Sequence, residues 1–150
     1  MVNNETSKVL NDLLEYLYDS HDGYRDCAKE ISDKRFKDVF NQLITVRQTM
    51  ITALQAEVSR LGEKAETMGS TLAAGHRLFI DLKSFLTDGD TDSIIKEVNR
   101  GENLLIEKYK LALTKNLSPQ IKQLMRSQLH EIESNLSFIN TLSENTEKTT

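Results

Sequence analysis

With 150 residues, 38% of them hydrophobic and 28% charged, the chain has the size and balance of one globular domain, able to bury about two thirds of its unfolded surface. A net charge of −4 argues against general attraction to nucleic acid or to anionic membranes, and no apolar run approaches the roughly 18 residues of a membrane span. The polar start, Met1 to Lys8, has no apolar signal region, so the cytoplasm is the expected compartment, and neither nucleic acid nor membrane is an expected partner.

One proline and six glycines favour long helices over strands. Apolar residues at Leu10, Leu14, Leu17, Tyr24, Ala28 and Ile31 recur at helical spacing and predict a first helix over about 7–31. Cys27, the single cysteine, falls inside this stripe, where a small buried thiol is the common case. Ser32-Asp33 then supplies an N-cap, and Phe36, Phe40, Leu43, Met50, Leu54, Val58 and Leu61 carry a second helix as far as Gly62, a natural C′ residue. From Glu63 to Asp90 the apolar run is shorter (Leu72, Phe79, Leu82, Phe85, Leu86) and lies among Gly69, Gly75 and Gly89. This segment reads as a crossover with a short helix from Ser70 to Leu86.

After the turn Asp88-Gly89-Asp90 a capped helix runs through Ile95, Val98, Leu105, Tyr109 and Ala112. Ser118, with Pro119 at the first helical position, opens the last helix, which uses Ile121, Met125, Leu129, Ile132, Ile139 and Leu142. Short links make each helix pair an antiparallel hairpin, while the link between the pairs is long enough to travel the length of a bundle. The expected fold is therefore all-α: a ferritin-like four-helix bundle, two antiparallel helical hairpins joined by a long crossover carrying a short fifth helix. It forms one domain over residues 1–150, with an ordered core at about 7–143 and a fraying polar tail at 144–150.

Bundles of this kind build di-iron centres from a Glu on each of two helices and a Glu-x-x-His on each of the other two. His21 is preceded three positions earlier by Tyr18, His76 by Ala73 and His130 by Ser127, so the motif is missing at every histidine. Iron is not expected at a standard di-iron site, and no cofactor is expected. His130 and Glu133 form the reversed order, which arises easily by chance on an exposed helix. Asp88, Asp90 and Asp92 imitate the start of a calcium loop, but Ser93 and Asn99 stand at its sixth and twelfth positions, so helix capping is the better reading.

Polar residues sit on the apolar seam itself: His21 between Leu17 and Tyr24, Arg47 between Leu43 and Met50, Glu102 between Val98 and Leu105, and Gln128 between Met125 and Ile132. A buried charge costs several kcal/mol unless it is paired, so Arg47 and Glu102 on one seam are expected to form an ion pair. Gln128, His21, Tyr24 and Tyr109 are the expected partners for the remaining donors and acceptors, and the guanidinium would supply the positive charge that a metal supplies elsewhere. In the competing reading, Arg47 and Glu102 snorkel from the seam's margin to unrelated surface charges.

Several short stretches carry a resemblance: Leu10-Asn11-Asp12-Leu13, Asp22-Gly23-Tyr24, Gly69-Ser70 with His76-Arg77 and Asp81-Leu82-Lys83, and Arg100-Gly101-Glu102 followed by Tyr109. In order and spacing they resemble an uncharacterised bacterial family of ferritin-like four-helix-bundle proteins, over about residues 8–143. The resemblance implies the fold and a bacterial cytoplasmic location, and it carries over no catalytic residue. Where that family often has a tryptophan in the crossover helix, this chain has Phe79.

The functional expectation is a non-enzymatic interaction or stress-related module, with a homo-oligomer as an open option. One alternative is a metal-binding or redox protein whose non-standard site draws on Glu15, His21, Glu102, His130 or Glu133. A second is a small-anion-binding bundle in which Arg47 holds a carboxylate because Glu102 points elsewhere.

Overall fold

The computed structural model describes residues 2–67 and 91–148. They form four helices: α1 (Val2–Glu30), α2 (Lys34–Arg60), α3 (Thr91–Ala112) and α4 (Pro119–Lys148), with no strand among the described residues. The boundaries follow local chemistry. Asp33 caps α2, its side chain accepting from the Arg35 amide at 2.9 Å, and the Arg35 guanidinium beside it holds its carboxyl below the usual range. At the other end Gly62 adopts φ 78. There the Glu63 amide donates to Val58 and the Gly62 amide to Ser59, the paired bonds of a left-handed helix stop. Ser118 Oγ accepts from the Ile121 amide and opens α4 at Pro119.

Two boundaries differ from expectation. α1 begins at Val2 instead of about residue 7, because Thr6 and Ser7 are packed and Ser7 Oγ donates to the Asn4 carbonyl. α4 runs through the expected polar tail to Lys148, since nothing in that stretch breaks a helix.

Side-chain pairs fix the helix directions. Tyr24 meets Phe40 and Tyr18 meets Gln55, so α1 and α2 are antiparallel. Tyr16 meets Lys108 and Ser20 meets Glu102, so α1 and α3 are antiparallel as well. Met50 meets Gln128 and Arg47 meets Asn135, which sets α4 antiparallel to α2. Asn99 and Asn140 exchange two amide hydrogen bonds of 2.8 and 2.9 Å, pinning α3 against α4. The four packed pairs are the edges of a square, with α2 and α3 parallel on one diagonal. Beyond α2 the chain leans on α1: Asn11 donates to the Lys64 carbonyl and accepts from the Glu66 amide. The expected helix from Ser70 to Leu86, with His76, Arg77, Phe79, Asp81 and Lys83, lies outside the described residues, as do Asp88 and Asp90.

The apolar interior is divided in two. One cluster is rich in leucine, including Leu10, Leu14, Leu17, Leu54 and Leu105, each wholly buried and contributing about 1.5–3 kcal/mol by leaving water. The other, toward the α1–α2 turn, is aromatic and β-branched: Tyr24, Phe36, Phe40, Ile94, Val98 and Ile139. Arg47 and Glu102 lie between them.

Candidate functional site

Each helix contributes one polar side chain at the boundary between the two clusters. Ser20 lies between Leu17 and Tyr24 on α1, Arg47 between Leu43 and Met50 on α2, Glu102 between Val98 and Leu105 on α3, and Asn135 between Ile132 and Ile139 on α4. Arg47 and Glu102 are wholly buried, and Arg47 Nη2 stands 2.6 Å from Glu102 Oε2. The rest of the guanidinium is distributed: Nε donates to Ser20 Oγ at 3.0 Å, and Nη1 to Asn135 Oδ1 at 3.3 Å and to Met50 Sδ at 3.7 Å. Ser20 Oγ in turn donates to Glu102 Oε1 at 3.4 Å, so the serine closes a ring between the two charges.

Tyr24 completes this layer from α1, with the Arg47 guanidinium carbon 5.7 Å from its ring centroid. Burial pushes its phenol well above the ordinary value, and the neighbouring Glu102 charge adds to the rise while Arg47 opposes it. Burial disfavours a charged Arg47, but Glu102 and then Tyr24 and Tyr109 more than offset that, so its pKa is raised and the cation is secure.

A second, neutral polar group sits toward the leucine-rich end. Tyr109 Oη donates to Gln128 Oε1 at 2.6 Å, and Gln128 Nε2 donates to the Met50 carbonyl at 3.2 Å. Burial raises the Tyr109 phenol as well, with Arg47 pulling the other way. Gln128 is thus buried, but it serves Tyr109 and the α2 backbone; Asn135, one heptad on, is the α4 side chain that reaches Arg47.

His21 does not enter the layer. Its side chain is 19% exposed at the rim, and Nδ1 lies 3.1 Å from Asp22 Oδ1. A helix advances about 100° per residue, and here Ser20 takes the inward direction. The residues considered for a metal are dispersed: His130 and Glu133 are exposed, Glu15 is half-buried on the outer face of α1, and Glu102 is held by Arg47. Burial, with Glu66 and Asp12 nearby, raises the Glu15 carboxyl. Among the described residues no group of three His, Cys, Asp or Glu side chains converges, and no described helix is long and apolar enough to cross a membrane.

Chemically, this centre is a saturated ion pair. Its cation is covalently fixed, its carboxylate is neutralised, and apolar side chains close it above and below. The neutral residues of the layer differ from those the heptads suggest. Ser20 and Asn135 carry no charge, and their signal was limited to small, hydrogen-bonding side chains at seam positions.

No curated protein sequence matches the chain. Among solved structures, a mutant of Dps1 from Mycobacterium smegmatis superposes with a TM-score of 0.75 over 93% of this chain and 95% of that one, at 12% sequence identity. At that identity the likeness is one of fold, and it places the four helices in a ferritin-like arrangement. A family model described as a domain of unknown function, DUF2383, matches residues 5–115, which include most of α1, all of α2 and all of α3, and the chain belongs to that family.

Proposed function

We propose that the chain is a ferritin-like bundle that acts without catalysis, through its surface, as an interaction or stress-related module, and that a side-chain cation closes its centre in place of a metal. The observation that carries this reading is the wholly buried pair of Arg47 and Glu102. A carboxylate that already neutralises a guanidinium has no charge left for a second cation, and two cations about 4 Å apart in a protein interior repel by several kcal/mol. On this reading the protein has no resident cofactor, and iron has no standard di-iron site to occupy.

The alternatives draw less support. A non-standard metal site would have to bring His130 or Glu133 in from the exposed side of α4. A small anion at Arg47 would have to displace Glu102 from a 2.6 Å contact. The same proposal takes residues 63–90 as a crossover from the end of α2 to the start of α3, bearing a short helix from Ser70 to Leu86, and the cytoplasm as the compartment.

Elemental analysis of protein purified without a metal-affinity tag, followed by anaerobic iron titration, tests the reading. Metal-free protein that takes up no iron is the expected result. Stoichiometric metal, bound as isolated or on titration, would sink it.

A further inference from the structure

In a chain where 28% of residues are charged, residues 39–56 of α2 hold one charge, Arg47, and it is buried. The exposed positions there, among them Gln42, Thr45, Thr49 and Thr52, are all uncharged. The other three helices carry exposed charges such as Lys8, Lys96 and Arg126. Where α2 packs on α4, the surface forms a shallow groove of about 330 Å³ floored by Val46, Met50, Ala53 and Leu124, with Glu131 the one charged residue on its lining among the described residues. Leu124 and Glu131 are one heptad apart on the α4 edge facing α2, and the next residue in that series is Phe138, which is 57% exposed.

From this we infer that the α2–α4 face is a self-association surface whose occupant is a second copy of the chain, related by a two-fold axis. Charge selects the partner. A face whose α2 side has no exposed charge and whose groove carries Glu131 gives little steering to a charged ligand, whereas two copies that each carry −4 meet with least repulsion where their surfaces are poorest in charge. Depletion of charge around an apolar centre is also the compositional mark of an interface core.

Geometry supplies the contact. Phe138 lies about 16 Å along the bundle from the middle of the groove, taking about 1.5 Å per residue. A two-fold axis midway between them, near Thr45 and Val46, seats each copy's Phe138 in the other's groove, as a self-complementary interface requires. The uncharged stretch is about 27 Å long, and two helices side by side are about 20 Å wide, so roughly 500 Å² per copy is available. The total of about 1,000 Å² is at the lower limit for a specific interface, which implies a dimer that dissociates on dilution.

The test is sedimentation equilibrium of the full chain across a concentration series reaching about 100 µM, where an interface of this size should be populated. Wild type is expected to shift from monomer to dimer. Thr45→Lys, which sets like charges against each other at the axis, and Phe138→Ser, which empties the groove, should each weaken association at least tenfold with helical content unchanged. Asn103→Lys, on the exposed side of α3, should leave it as in wild type. A wild-type chain that stays monomeric across the series overturns the inference, and so does an assembly that Thr45→Lys and Phe138→Ser leave intact. The inference does not rest on the reading of the core, and iron titration and sedimentation can fail independently.

Discussion

The Arg47 layer and the Tyr109 layer both interrupt an apolar seam, but they do so differently. The first draws a side chain from every helix and holds two full charges. The second is neutral and joins α3 and α4 to the backbone of α2. Removing one partner from the charged layer strands an ion in a low-dielectric core, whereas removing one from the neutral layer strands a single acceptor or donor. The charged layer should therefore be the more sensitive to loss of one partner, and the more easily relieved by loss of both.

The largest effect is expected at Glu102→Gln, which keeps the shape and removes the charge that neutralises Arg47. Urea unfolding should show a loss of about 3–5 kcal/mol. The double change Arg47→Met with Glu102→Leu should recover most of it, ending within about 1 kcal/mol of wild type or above it. A double variant as unstable as the single one would mean that packing geometry, not the stranded charge, sets the cost.

Alkaline pH probes both layers and the aromatic cluster. Cys27 is pushed from an ordinary 9.0 up to about 12, by burial first and by Asp26 and Glu97 next. Tyr24 and Tyr109 are raised above 10.0, in both cases chiefly by burial. For each group the folded chain holds its proton at a pH where the unfolded chain releases it. The stabilisation is thus complete below the unfolded value and is lost as pH rises: above about 9 for the thiol and above about 10 for the phenols. Each group should contribute a slope of about 1.4 kcal/mol per pH unit within its window. Cys27→Ala should flatten the first part of the decline in urea midpoints and Tyr109→Phe the second. A wild-type stability that stays level between about pH 9 and 11 would contradict all three shifts together.

At neutral pH, Tyr109→Phe is expected to cost about 1–3 kcal/mol, because Gln128 Oε1 loses the donor that satisfies it. Adding Gln128→Leu should not restore stability fully, since the Met50 carbonyl would then lose the side-chain donor that it has beside its helical one.

Much of this is legible in the amino-acid sequence. Arg47 and Glu102 each have an apolar residue three and four positions away on the same seam, and a charge so flanked on two helices of one bundle has few places to go but toward the other. The neutral members were harder. Gln128 and Asn135 occupy equivalent seam positions one heptad apart, and which of them lies level with Glu102 depends on the path of the α3–α4 link. The pairs Tyr109–Gln128 and Asn99–Asn140 show that α4 starts well past the end of α3, which moves Asn135 up to the layer and leaves Gln128 below it. Apolar spacing alone carries no information about such an offset.

The smallest predicted effect settles a one-residue ambiguity. Ser20 and His21 both fall three or four positions from Leu17 and from Tyr24, and a straight helix drifts about 20° per heptad from a strict repeat, so periodicity cannot choose between them. Chemistry can: beside a buried guanidinium, a hydroxyl both accepts from Arg47 Nε and donates to Glu102, whereas an imidazole would bring bulk and, when protonated, a second positive charge. Ser20→Ala should therefore cost about 1 kcal/mol, because it removes a link between the two charges. His21→Ala, at the rim with Nδ1 against Asp22, should change stability by less than about 0.5 kcal/mol. If the two losses came out in the reverse order in urea unfolding, the charged layer would have to be redrawn around the histidine.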